Sequence, residues 1–291
     1  MATEGTAELL KKVRKIEIKT RGLSNQIFSG EYHSAFKGRG MAFSEVREYT
    51  PGDEIRTIDW NVTARFGHPF VKIFDEEREL SVILLVDISA SDSFGTQVQI
   101  KKTLITEICA VLSFSAIQNN DKIGIIFFSD KIEKFIPPKK GKSHCLRIIR
   151  ELLEIKPESS KTNIAQALRY LVNVVKKRST VFLLTDFIDD NFEDALKLAN
   201  KKHDVVSLRI HDRREKELPS MGTVLFKDAE TGNERWVNTS DKKVKNAYTA
   251  NYLKRENELK NIFTRSGVDF TNIATDQSYV KPLMMLFKKR G

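Results

Sequence analysis

Residues 81–95 read SVILLVDISASDSFG. The aliphatic run Val82–Val86 has no polar break and stops at Asp87, with Ser89 and Ser91 at the alternate positions after it. A run that short and unbroken suits a strand buried on both faces, as in a parallel sheet. Three further segments share the pattern: KIGIIFF at 122–128, TVFLLT at 180–185 and DVVSLRI at 204–210.

Helical periodicity fills the spaces between these runs. Residues 97–118 place Ile100, Leu104, Ile108, Val111 and Leu112 on one stripe. Residues 163–177 do the same with Ile164, Leu168, Leu171, Val172 and Val175, and Asn163 with Gln166 fits a capping box at the helix start. Alternating strand and helix predict an α/β fold with an open, mainly parallel sheet flanked by helices. KIEKFIPP follows the second strand after only Ser129-Asp130, so it returns antiparallel as an edge strand. A β-hairpin insertion is expected near 221–239, a polar helix over 241–265, a last strand at VDFTNI and a closing helix at PLMMLFKKR.

Upstream, residues 6–29 read as mostly helical, anchored by Leu9, Leu10, Val13, Ile16 and Ile27. MAFSEVREY and VKIFDEE read as strands, and Pro51-Gly52 suits the centre of a type II turn. The expected division is an N-terminal helix and small β subdomain over 1–79, then the main domain over 80–291.

In open α/β sheets, ligands collect beyond the carboxyl ends of the strands, where strand order reverses. Two strands here end in aspartate, Asp87 and Asp186, and Thr162 precedes a helix in the same half of the pattern. With Ser89 and Ser91 these are all oxygen donors, the kind hard divalent cations such as Mg²⁺ or Mn²⁺ prefer. Neutral hydroxyls leave such a cation under-neutralised, so a free coordination position attracts an external carboxylate. The competing readings are local: Asp87 and the serines as a helix cap, Asp186 as the cap of a helix over 192–201, and Thr162 as a loop hydroxyl bonding nearby backbone.

Asp87-Ile-Ser89-Ala-Ser91, then Thr162, then Asp186 after FLLT, resembles the metal-ion-dependent adhesion site of von Willebrand factor A domains. The resemblance implies a Rossmann-type fold in which the hydroxyls ligate the metal directly or through water, the aspartates mostly act through water, and the metal binds an acidic residue of a protein partner. There are two departures: Asn163 stands where many such domains carry Asp, and Phe187 stands where they carry Gly, which would make the rim bulkier. A longer stretch, SAFKGRGMAFSEVREYTPGDEIRTIDWNVTAR, together with PPKKGKSHCLRIIRELL and HDRREKELP, resembles the bacterial domain-of-unknown-function fifty-eight family. That resemblance implies a non-enzymatic protein-interaction module, an adaptor working with a MoxR-type AAA ATPase or an associated membrane protein.

Within REYTPGDEIRTIDWNVTAR, the residues Arg47, Asp53, Arg56, Asp59, Trp60 and Arg65 read either as an ion-paired network joining the small sheet to the main domain or as a partner-docking surface. The network is the simpler reading. Gly141-Lys142-Ser143 is not a phosphate loop, because Ile136 occupies the position of the required first glycine. A Mg²⁺-dependent phosphohydrolase is the alternative function, yet Ser89 stands where its second aspartate is needed. Nucleic-acid binding through the net charge of +10 lacks any recognition motif. Two cysteines argue against a disulfide framework. The N-terminus lacks the apolar core of a signal peptide and no run is long enough to span a bilayer, so a cytoplasmic protein is expected.

Overall fold

The computed structural model describes residues 13–17, 19, 20, 23, 42–75, 80–89, 101–227 and 234–290. The chain divides into two compact units: Lys37–Leu80, and Met1–Phe36 together with Ser81–Gly291.

The small unit carries β1 (Ala42–Glu48) paired antiparallel with β2 (Phe70–Asp75), and α1 (Trp60–Phe66) between them. Asp53 N bonds Thr50 O at 3.0 Å and Gly52 sits at φ 114°, so Thr50–Asp53 closes as the sequence requires of Pro-Gly. Asp59 caps α1, its Oδ1 accepting from Asn61 N at 2.9 Å and Val62 N at 3.2 Å.

The large unit is built on a six-stranded sheet: β3 (Ser81–Asp87), β4 (Lys122–Phe128), β5 (Ile132–Lys139), β6 (Thr180–Thr185), β7 (Asp204–His211) and β10 (Asp269–Ala274). Its strand order is β10-β7-β6-β3-β4-β5, with only β5 antiparallel. The four unbroken apolar runs are the four inner strands. Val82–Val86 are wholly buried, each such side chain stabilising the fold by roughly 1.5–3 kcal/mol. Pro137 and Pro138 fall in β5, the edge strand, where prolines cost no central ladder bond.

Helices α2 (Lys101–Gln118), α3 (Lys142–Glu154), α4 (Ile164–Val174), α5 (Glu193–Lys202), α6 (Lys242–Ser266) and α7 (Val280–Arg290) belong to the same unit. Ile83, Leu85, Val181, Leu183 and Val205 meet Leu168, Leu171, Leu196, Leu259 and Phe263, so α4, α5 and α6 cover one face of the sheet. On the other face α7 packs against β6, with the Phe182 and Phe287 rings 6.2 Å apart. The hairpin is β8 (Thr223–Lys227) with β9 (Glu234–Asn238), within the expected bounds.

Two expectations need correction. The N-terminal helical segment does not belong with the small sheet: it groups with the large unit, where Val13 packs against Ala110, Phe114, Cys145 and Ile149, and Lys19 pairs with Glu107 at 2.7 Å. An apolar stripe needs a partner surface, and α2 and α3 supply it. In addition, α2 is not buried along one stripe but on nearly all sides, Ser113 and Ser115 included, because α3 and the N-terminal segment cover the face turned away from the sheet.

Candidate functional site

The chain passes from β3 to β4 on one side and from β6 to β7 on the other, so strand order reverses between β3 and β6. Asp87 ends β3 and Asp186 directly follows β6, placing both carboxylates at that switch point. Both side chains are buried. Asp87 Oδ1 accepts from Ser89 N at 2.9 Å, and its Oδ2 accepts from the Thr185 hydroxyl at 2.7 Å. Burial, and then the negative charge of Asp186, push the Asp87 carboxyl up to about 6. Asp186 Oδ1 accepts from Ile188 N at 3.0 Å, and its Oδ2 accepts from Lys101 Nζ at 3.0 Å.

The Thr162 loop is brought to the same edge. Asn163 N bonds Ser129 O at 3.0 Å, just beyond the end of β4, and Ile164 N bonds Asp189 Oδ2 at 2.7 Å, just beyond Asp186. Asn163 caps α4, its Oδ1 accepting from Gln166 N at 2.8 Å. Thr162 itself is half-buried, Ser89 is buried, and Ser91 lies outside the described residues. Arg255 of α6 clamps the loop after β6 by donating to Phe187 O at 3.1 Å and Asp189 O at 3.2 Å.

Asp186 is not the cap of α5; Phe192 holds that position, without a side-chain bond. Nor does Phe187 thicken the rim. It adopts φ 60°, a left-handed conformation that favours glycine, and its buried ring packs with Phe192 at 5.7 Å and Phe263 at 5.0 Å. The aromatic cluster offsets the backbone strain.

Besides Thr185 and Arg255, two charged participants escaped the sequence reading. Lys101, at 1% exposure, places its ammonium 3.0 Å from Asp186 and 2.6 Å from Glu215 Oε1. Burial alone would lower the lysine, but the two carboxylates hold it above its usual value. Burial pushes Glu215 up, and Lys101 opposes that. Neither stands out in the sequence: Lys101 is followed by Lys102, and Glu215 lies in the charged stretch HDRREKELP.

The donor chemistry suits a hard cation: carboxylate and hydroxyl oxygens, with a buried Asp87 carboxyl whose ionised form a positive neighbour would stabilise. Among the described residues no three Asp, Glu, His or Cys groups gather as a metal cluster, so the hydroxyls of Ser89, Ser91 and Thr162 would have to complete the set.

In the small unit, Arg47 binds Asp53 through two bonds of 2.8 and 2.7 Å, and Arg47 holds the Asp53 carboxyl well below the usual carboxylate range. Asp59 caps α1 and faces Lys72 at 3.5 Å. These contacts all stay within the small unit. Arg56 and Arg65 are exposed, and so are Ile55, Trp60 (67%) and Phe66.

The profile of the family described as "Protein of unknown function DUF58" matches residues 45–258. The chain belongs to the DUF58 family. This DUF58 protein is 28% identical over 228 residues to the uncharacterized protein Rv1480 of Mycobacterium tuberculosis (strain H37Rv), spanning 77% of this chain and 72% of that one. Among solved structures, an aerotolerance-related membrane protein from Bacteroides fragilis superposes with a TM-score of 0.50 at 17% identity, over 72% of this chain and 99% of that one. The SpRpn10 VWA domain superposes with a TM-score of 0.41 at 8% identity, over 72% and 95%. The likeness to the Bacteroides fragilis protein concerns the fold alone: an open, mostly parallel sheet flanked by helices. Among the described residues, no helix of this DUF58 protein is long and apolar enough to cross a membrane.

Proposed function

We propose that this DUF58 protein is a non-enzymatic interaction module of the cytoplasm that captures an acidic side chain of a protein partner at a cation site formed by Asp87, Ser89, Ser91, Thr162 and Asp186. The observation that carries the reading is the pair of buried carboxylates, Asp87 and Asp186, side by side at the switch point of the sheet. A bound Mg²⁺ or Mn²⁺ would supply a positive centre that attracts an external carboxylate. The chain's own part is orientation. Thr185 and the Ser89 amide fix the Asp87 carboxylate, while Ile188 N and Lys101 fix Asp186. Backbone bonds from Asn163 and Ile164 hold the Thr162 loop against the ends of β4 and β6.

The partner class favoured by the family resemblance is a MoxR-type AAA ATPase or an associated membrane protein. The test is Mn²⁺ binding by the full chain, followed by capture of the ATPase encoded beside it, with and without chelator. Wild-type protein is expected to bind both, and Asp87→Ala neither. Partner capture that ignores both chelator and Asp87→Ala would refute a cation-bridged contact, and phosphomonoester turnover lost in Asp87→Asn would replace this reading with hydrolysis.

A further inference from the structure

The buried ammonium of Lys101 has a role to account for beyond holding Asp186 in place. It is among the largest fully buried side chains, and two carboxylates from different strand connections converge on it. Asp186 follows β6, and Glu215 ends the short 3₁₀ turn Arg213–Glu215 that follows β7. Burying three charges to achieve only a local tie is costly, because each must leave water. An apolar residue at 101 opposite neutral partners would pack the same space without that cost.

The charges also have a definite sum. Asp87, Asp186 and Glu215 supply three negative charges and Lys101 one positive charge, leaving the deficit that a divalent cation neutralises. Lys101 already uses Asp186 Oδ2, and Ile188 N uses Oδ1. An arriving cation therefore meets an Asp186 whose field is partly cancelled by an ammonium that cannot leave, since its side chain is only 2% exposed. Glu215 acts in the opposite sense. By taking a share of the ammonium at 2.6 Å, it releases part of Asp186's charge towards the site.

We infer that Lys101 and Glu215 are the charge-setting pair of the cation site, Lys101 weakening divalent-cation binding and Glu215 restoring part of it. The cation is then held loosely by the chain alone and firmly once a partner's carboxylate adds its own negative charge. Cation and acidic partner thus bind as a mutually dependent pair. This rests on the reading under Proposed function. Both residues are positioning residues, acting on the cation through Asp186.

The experiment is a Mn²⁺ titration of the full chain followed by electron paramagnetic resonance, with thermal unfolding by circular dichroism run alongside. The proteins are wild type, Asp87→Ala, Lys101→Met and Glu215→Gln. The expected result is Mn²⁺ affinity raised about tenfold or more in Lys101→Met and lowered about tenfold in Glu215→Gln, a unit charge at such short range in a partly buried site being ample for that change. Acetate, as a carboxylate probe, should tighten Mn²⁺ binding in wild type more than in Lys101→Met. A purely structural role would weaken binding in both variants, so opposite signs are diagnostic. A folded Lys101→Met that binds Mn²⁺ no more tightly than wild type overturns the inference. If Lys101→Met does not fold, Glu215→Gln decides it, and unchanged or tighter binding there overturns it equally. Binding in wild type that is lost in Asp87→Ala, without the opposed shifts, sinks this inference alone. No Mn²⁺ binding in either wild type or Lys101→Met sinks the underlying cation site as well.

Discussion

His203 gives the sharpest test of the fold's electrostatics. It lies between α5 and β7, its residue is wholly buried, and neither ring nitrogen has a hydrogen-bond partner among the described residues. Burial first, then the positive charges of Lys202 and Arg178, lower its pKa from 6.5 to about 4. The unfolded chain therefore binds a proton as pH falls through 6.5, while the native state refuses it until about 4. Stability is lost across that window and nothing is lost above it. The depressed pKa costs about 2 kcal/mol at about pH 5 and about 3 kcal/mol near pH 4. The perturbation is His203→Leu, and the assay is urea unfolding at constant ionic strength. The stability gap between variant and wild type should widen by about 2 kcal/mol in the variant's favour between about pH 7 and about pH 5. Asp87, pushed up to about 6, favours the native state as pH falls, but it does so equally in both proteins and cancels. Parallel pH profiles for the two proteins would refute the reasoning, whatever their offset at neutrality.

Three further outcomes are expected. Gly124→Ala should destabilise by about 1–3 kcal/mol in the same urea assay, because a Cβ there would lie 2.8 Å from Pro138 N and push β5 off β4; a neutral effect would mean the edge strand yields freely. Phe187→Gly should relieve the left-handed strain yet lose the buried ring, a net cost of about 2–4 kcal/mol in unfolding free energy, so a stabilised variant would show that strain outweighs packing. Both cysteines are buried, and burial pushes the Cys145 thiol up to about 12, so a thiol reagent at neutral pH should label neither until urea unfolds the chain.

The sheet was legible in the sequence because parallel strands buried on both faces leave unbroken apolar runs, and Val82–Val86 and its three counterparts became the four inner strands. The edge strand was legible for a different reason. Ser129-Asp130 leaves no room for a crossover, so Ile132–Lys139 had to return antiparallel. The N-terminal helical segment was assigned to the wrong unit because a stripe such as Val13 and Ile16 says that a helix must be covered, not by what. Its partners, Ala110, Phe114, Cys145 and Ile149, lie about a hundred residues away in sequence.

At the site, the limit was set by which residues announce themselves. Asp87 and Asp186 interrupt apolar runs at strand ends, where a carboxylate has no packing reason to be. Lys101 and Glu215 carry no such mark, since one is half of a Lys-Lys pair within a helical pattern and the other lies in the charged stretch HDRREKELP. Only the fold shows that the lysine of α2 turns inward and that the 3₁₀ turn after β7 delivers a carboxylate to meet it. The consequence reaches the functional reading. A motif of oxygen donors states which atoms are available to a cation, whereas the strength of the site depends on every buried charge within a few ångströms, including those outside the motif. Two chains with the same aspartates, serines and threonine would differ in cation affinity if one placed an ammonium against Asp186 and the other did not. For this chain, the ligand string and the Lys101–Glu215 pair have to be read together before an affinity is assigned to the site.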